Sequence, residues 1–186
     1  PAPALLKRWK KYLVRYYQRH GNTLTRAGWP RVCQRTEPVS RATVVSLGAA
    51  VVRRDWLIQA PYDEVLDPHG IGDNYGVAIQ FPDPQPFHIL SNLAVKHHHS
   101  QANRLEDTRA FYRRGLALHH FLRLHRGPAT RLWYGGSLVG LGIRMTLSRN
   151  RLGIRAVAKL LASWAMGQNP YASAAKKGQK RVVPSL

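Results

Sequence analysis

Apolar and polar positions alternate with a helical period over three stretches of the chain. The clearest runs from Asp107 to Arg126, DTRAFYRRGLALHHFLRLHR. At 100° per residue Ala110, Phe111, Ala117, Leu118, Phe121, Leu122 and Leu124 gather into one apolar stripe. Arg109, Arg113, His120 and Arg123 fall opposite, with Tyr112, His119 and Arg126 along the edge. Asp107 or Thr108 can accept from the first free N–H groups, and Gly127-Pro128 cannot continue a helix. The pattern predicts one face turned to a core and another offering cations.

A second helix is predicted over residues 5–19, opened by Pro3 and stopped by Gly21. Leu5, Trp9, Tyr12, Leu13 and Tyr16 share one side, while Lys7, Arg8, Lys11, Arg15 and Arg19 fall mostly on the others. The third spans residues 152–166. Val157, Leu160, Leu161 and Trp164 face inward, and Arg151, Arg155 and Lys159 repeat at four-residue spacing on a polar face. Gly167 and Asn169-Pro170 end it.

Between the first and third of these lies the most apolar run, LWYGGSLVGLGI from Leu132 to Ile143. Gly136 and Gly140 form a GxxxG pair that permits close helix–helix approach, and both are predicted to be helix-packing positions. The uncharged run between Arg131 and Arg144 is 12 residues, whereas a bilayer crossing needs about 20. A buried helix or glycine-rich turn is therefore expected, with a short membrane helix near 132–147 as the alternative.

The middle reads differently. Ala42 to Val52 is an apolar run whose β-branching favours a buried strand, with a short helix as the alternative, followed by the small apolar run Trp56-Leu57-Ile58. From Ala60 to Pro86 prolines and glycines punctuate a long loop, with Gly76 to Phe81 as its plausible strand. A loop of that length is expected to wrap over a neighbour. The fold class expected is mainly α: three amphipathic helices, a small irregular or β-containing middle, and basic extensions.

Charge divides the chain. It carries 29 Lys+Arg against 9 Asp+Glu over 186 residues, a net +20. Residues 1–36, a basic helix and arm, hold +9; the Pro/Gly-rich middle, 37–100, holds −3; residues 101–186 hold +14. The last part divides into a basic helical region, 101–171, and a basic tail, 172–186, with too little hydrophobicity to fold alone, so the tail is expected to be disordered or ordered by a partner. Such self-repulsion brings an isolated chain no stability, so a polyanionic partner is implied. Arginine dominates, and its planar fork suits phosphate.

Catalytic and metal-binding signatures do not emerge. His97-His98-His99 point in diverging directions in either a strand or a helix, so three in a row rarely converge on one metal. Cys33 is the lone cysteine and has no CxxC partner. Asp63, Glu64 and Asp67 sit in loop sequence without a spaced base. In Gly70 to Gly76 the third glycine comes one residue late for GxGxxG, and the P-loop lysine is missing. No enzyme, cofactor or metal is expected.

Basic residues and aromatics instead occur together, and arginine grips phosphate while aromatic rings stack on bases. The function expected is a non-catalytic structural subunit of a large organellar ribonucleoprotein, a mitochondrial ribosomal protein bound to rRNA and neighbouring subunits. Arg8, Lys11, Arg15, Arg109, Arg113, Arg123, Arg151, Arg155, Lys176, Lys177 and Lys180 are its expected phosphate-binding residues. The alternative is an accessory subunit of a mitochondrial inner-membrane complex, with anionic lipid or membrane subunits as partners. A mitochondrial location, matrix or matrix side of the inner membrane, is favoured by the Arg-rich, acid-poor composition.

Overall fold

The computed structural model describes residues 23–31, 39–44, 50–66, 71–80, 87–90, 93, 106–180 and 183–185. The expected helix over 5–19, with Arg8, Lys11 and Arg15, lies outside them, as do Cys33 and His97-His98-His99. The described residues are mainly helical with a few short strands. In chain order they are β1 (Thr23–Leu24), β2 (Pro30–Arg31), β3 (Val39–Ala42), α1 (Arg54–Gln59), α2 (Asp73–Gln80), β4 (Phe87–Leu90), α3 (Asp107–His125), α4 (Pro128–Leu147), α5 (Arg151–Ala165) and α6 (Pro170–Lys176).

Helix α3 is the axis of the packing. Leu116, Ala117 and Leu118 are fully covered, and Phe121 and Leu122 nearly so. Each large side chain buried this way contributes roughly 1.5–3 kcal/mol over its exposed state. Helices α4 and α5 form an antiparallel hairpin against α3, turned by Ser148, Arg149 and Asn150. Arg149 takes a left-handed φ of 54° there. Asn150 caps α5 by accepting from the Gly153 N–H at 2.9 Å. Small residues set the spacing of these helices. A Cβ on Gly115 would come within 2.6 Å of Leu160, and one on Gly135 within 2.4 Å of the Trp164 ring. Tyr134, fully buried between the layers, donates its hydroxyl to the Gly115 carbonyl at 2.9 Å.

The remaining faces of α3 are covered as well. The turn joining β1 to β2 lies on Leu118 and Leu122 at Gly28, whose φ of +82° and close approach both favour glycine. Trp29 stacks between Phe111 and Tyr134 and donates its indole N–H to Ser137 Oγ at 2.9 Å. Helix α2 packs on the far side, with Gly76 against Phe121 and Gly72 against Ala117. A smaller cluster of Ala42, Ala60, Val77 and Phe87 joins α1 and α2 to the antiparallel β3–β4 pair.

Three expectations are corrected. The Gly76–Phe81 segment, expected as a strand, is helical through Gln80. Gly76, Val77, Ala78 and Ile79 are consecutive buried residues, a pattern that suits a short buried helix as well as a strand. The expected strand from Ala42 begins earlier: β3 ends at Ala42, residues 50–53 are non-regular, and 45–49 lie outside the described residues. The tail is not without structure. Residues 170–176 form α6, whose Tyr171 and Ala174 join the main core. Asn169, 2% exposed, caps α6 through Tyr171 N–H and donates its amide to the Leu116 carbonyl at 2.8 Å.

Candidate nucleic-acid interface

The polar side of α3 is an open cation face only toward its ends, at Arg109 and Arg123, and its middle is covered. His119 and His120 are 3% and 2% exposed and Arg113 is 8% exposed. Each meets a polar group brought from elsewhere in the chain. Arg113 Nε donates to the Pro184 carbonyl at 3.3 Å. His120 Nε2 lies 2.7 Å from Asp63 Oδ2. His119 Nδ1 lies 3.4 Å from Asn169 Nδ2 and its ring stacks on Tyr134. Periodicity finds the apolar side of a helix, but partners that satisfy polar groups can cover the other side too.

These contacts set the local titration. The hydrogen bond from His120 holds the Asp63 carboxyl below its ordinary value, helped by the Val65 N–H at 3.1 Å. Burial, followed by the charges of Arg123, His120 and Arg131, pushes His119 down to about 4. His125 is also lowered, chiefly by burial. The Tyr134 phenol is raised by burial and stays a hydrogen-bond donor.

The cations that remain open lie around the α4–α5 hairpin and beyond it. Arg144, Arg149, Arg151 and Arg155 are exposed near the α4–α5 turn. Arg123, Arg126 and Arg131 gather near the α3–α4 corner, of which Arg123 is exposed and the other two are half-buried. Arg131 and Arg144 stand about 20 Å apart along α4 at 1.5 Å per residue. Lys176, Lys177 and Lys180 are exposed at the end of α6 and just after it. Carboxylates reach two of the cations named at the sequence level: Glu106 lies 3.9 Å from Arg109, and Glu64 lies 2.5 Å from Lys180. From Thr108 to Lys180 the sequence has fourteen Lys and Arg and no acid. Comparison with protein-family models, curated proteins and solved structures found no match.

Gly136 and Gly140 are exposed, and a Cβ on either meets nothing within 4 Å among the described residues. The expectation that they pack helices is therefore corrected within the described fold. Gly115, Gly135 and Gly153 take that role, because the first two turn toward α5, at Leu160 and Trp164, and the third toward Met145 of α4 and Asn150 of the α4–α5 turn. Gly136 and Gly140 instead belong to an outward stripe with Leu132, Val139, Ile143 and Leu147, the last 81% exposed. Among the described residues no helix is long and apolar enough to cross a membrane, so α4 does not supply the membrane helix considered near 132–147. No group of three or more metal-ligating side chains is assembled among the described residues.

A cavity of about 330 Å³ lies where α3 ends and α4 begins. Arg123 and Arg131 flank it, Pro128, Leu132 and Trp164 supply apolar surface, and His119 is buried at its edge. Arg123 appears among the sequence-level residues, whereas Arg131 and His119 do not. The signal in the sequence, an arginine on each side of Gly127-Pro128, becomes a site only once α5 brings Trp164 across.

Proposed function

We propose that this chain is a non-catalytic structural subunit of a large organellar ribonucleoprotein, a mitochondrial ribosomal protein that neutralises rRNA phosphates. One observation carries the reading: after Asp107, the first residue of α3, the sequence runs 73 residues to Lys180 with fourteen Lys and Arg and no acid, and most of these cations are open to solvent. Packing alone does not call for that arrangement, since exposed like charges repel. Phosphate backbone compensates it, and each neutralised phosphate releases condensed counterions. Arg109, Arg123, Arg151, Arg155, Lys176, Lys177 and Lys180 are the exposed members of the set, Arg109 and Lys180 beside Glu106 and Glu64. Arg113 serves the fold instead, holding the chain end through Pro184. Arg8, Lys11 and Arg15 remain in the proposal on sequence pattern.

Co-sedimentation before and after RNase digestion tests this. The chain should leave its large particle when RNA is digested; retention in an intact particle would overturn the reading. A second reading, an accessory subunit of an inner-membrane complex, is favoured by the apolar stripe of α4. Carbonate or high-salt extraction separates the two, because a requirement for detergent supports the membrane-associated subunit.

A further inference from the structure

Two arginines converge on the cavity between α3 and α4, and no carboxylate lines it. Arg123 is anchored at one point by donating to the Gly167 carbonyl. Arg131 Nε is shielded from solvent and has no hydrogen-bond partner among the described residues. Buried N–H groups in folded proteins nearly always find an acceptor, and no described residue supplies one to this atom, which leaves Arg131 open to an anionic partner.

Two further features fit an oxyanion. The cavity opens at the start of α4, a 20-residue helix whose N-cap Gly127 supplies no side-chain acceptor and whose N1 is Pro128. The first free N–H groups and the positive end of the helix dipole favour negative charge there. His119 adds a donor without adding charge. The Asn169 amide is fixed by three bonds: its Oδ1 accepts from Tyr171, and its Nδ2 donates to Leu116 and faces His119 Nδ1. The imidazole must accept at Nδ1, so its proton sits on Nε2.

The rest of the cavity is not shaped for a bare ion. Trp164 is held by a 2.9 Å bond from its indole N–H to the Arg131 carbonyl, and with Leu132 and Pro128 it makes an apolar wall. The volume sits at the lower end of the ~300–1,000 Å³ range of small-ligand sites. Duplex RNA keeps its bases stacked inside, whereas unpaired nucleotides splay out against aromatic and arginine planes.

We propose that this cavity holds one unpaired nucleotide of the RNA partner, its phosphate between Arg123 and Arg131 and its base against the Trp164 wall. The inference rests on the RNA reading above and gives that surface one discrete subsite among diffuse backbone contacts.

The test uses the full chain and nuclear magnetic resonance of the Trp164 indole N–H and the Arg131 Nε–H. Adenosine 5′-monophosphate should shift both signals, and adenosine without phosphate should shift neither. Arg131→Gln should weaken nucleotide binding by about tenfold or more, Arg131→Lys by less, and Arg54→Gln on distant α1 not at all. Circular dichroism of each variant separates lost binding from lost fold. Against single-stranded oligoribonucleotide, Arg131→Gln should cost more than Arg151→Gln, which removes one surface charge.

Five outcomes are decisive against it. Inorganic phosphate acting as well as the nucleotide removes the base from the proposal. Anionic phospholipid vesicles shifting the two signals where the nucleotide does not would assign the site to lipid. RNA bound equally by the Arg131→Gln and Arg151→Gln variants, with no nucleotide shift, overturns the cavity and leaves the RNA reading standing. No binding of any RNA, with no nucleotide shift, removes both. A nucleotide shift without RNA binding would leave a nucleotide site but overturn RNA as its occupant, together with the RNA reading.

Discussion

A methyl group added at Gly135 would lie 2.4 Å from the Trp164 ring, while one added at Gly136 meets open space. The two neighbours should therefore respond with opposite sign. Gly135→Ala must displace an indole locked to the Arg131 carbonyl and should cost about 1–3 kcal/mol. Gly136→Ala relieves glycine's helical entropy cost and should gain roughly 0.5–1 kcal/mol. Denaturant midpoints of the two variants check this; destabilisation of equal size at both positions would show that Gly136 is covered. His119 supports a pH prediction. Folded, it titrates near 4, against an ordinary 6.5 when unfolded, so between those values the unfolded chain binds more protons. Stability should fall as pH drops from about 6.5 to about 4, by up to about 3 kcal/mol, and then lose no more from this group. His119→Asn should flatten that limb in denaturation measured at pH 7 and pH 5. Asp63 acts in a lower window: its depressed carboxyl contributes above 3.8, and the contribution is lost as pH falls through its folded value.

Helix ends carry the element-scale predictions. Asn150 and Asn169 both cap helices, α5 and α6, yet only Asn169 is buried and reaches a second element. Asn150→Ala should cost about 1 kcal/mol, the usual value of a cap. Asn169→Ala also removes the bond to Leu116 and opens a buried polar site, so about 2–4 kcal/mol is expected. Thermal unfolding of the pair measures the difference; equal losses would mean that the α6–α3 bond adds nothing. Much of this level was legible beforehand. The extents of α3 and α5 follow from period and from the Gly127-Pro128 and Gly167 stops, whereas the expected Asp107 or Thr108 cap does not form: α3 starts at Asp107 behind Glu106, which makes no side-chain cap bond. What the pattern missed was α2, where a short apolar run is compatible with either period. The docking of α6 also escaped it, because one tyrosine and one asparagine decide that contact rather than an amphipathic stripe.

Across the whole molecule, the cations should act through number more than position. If six to ten of them meet phosphate, log affinity for RNA should fall with log salt at a slope of about −5 to −9. Filter binding between low and physiological salt measures that slope, and a value near zero would exclude backbone recognition. The candidate site was only partly legible. Arg123, Arg151 and Arg155 are placed correctly on open surface by spacing alone, whereas Arg113 and the histidines of α3 are drawn into the interior by Pro184, Asn169 and Asp63. Sequence by itself determined the charge, the period of the long helices and their stops, since these depend on composition and neighbours within one or two turns. Only the tertiary structure decided which face of each helix is covered. A helical pattern states where apolar side chains lie, but burial depends on what packs there: α2 and the 23–31 hairpin cover the apolar stripe of α3, while Asp63, Asn169, Tyr171 and Pro184 close over the side its own sequence marks as polar. The same packing turned Gly135 inward and left Gly136 and Gly140 outside, a choice one residue of helical rotation makes and no motif records.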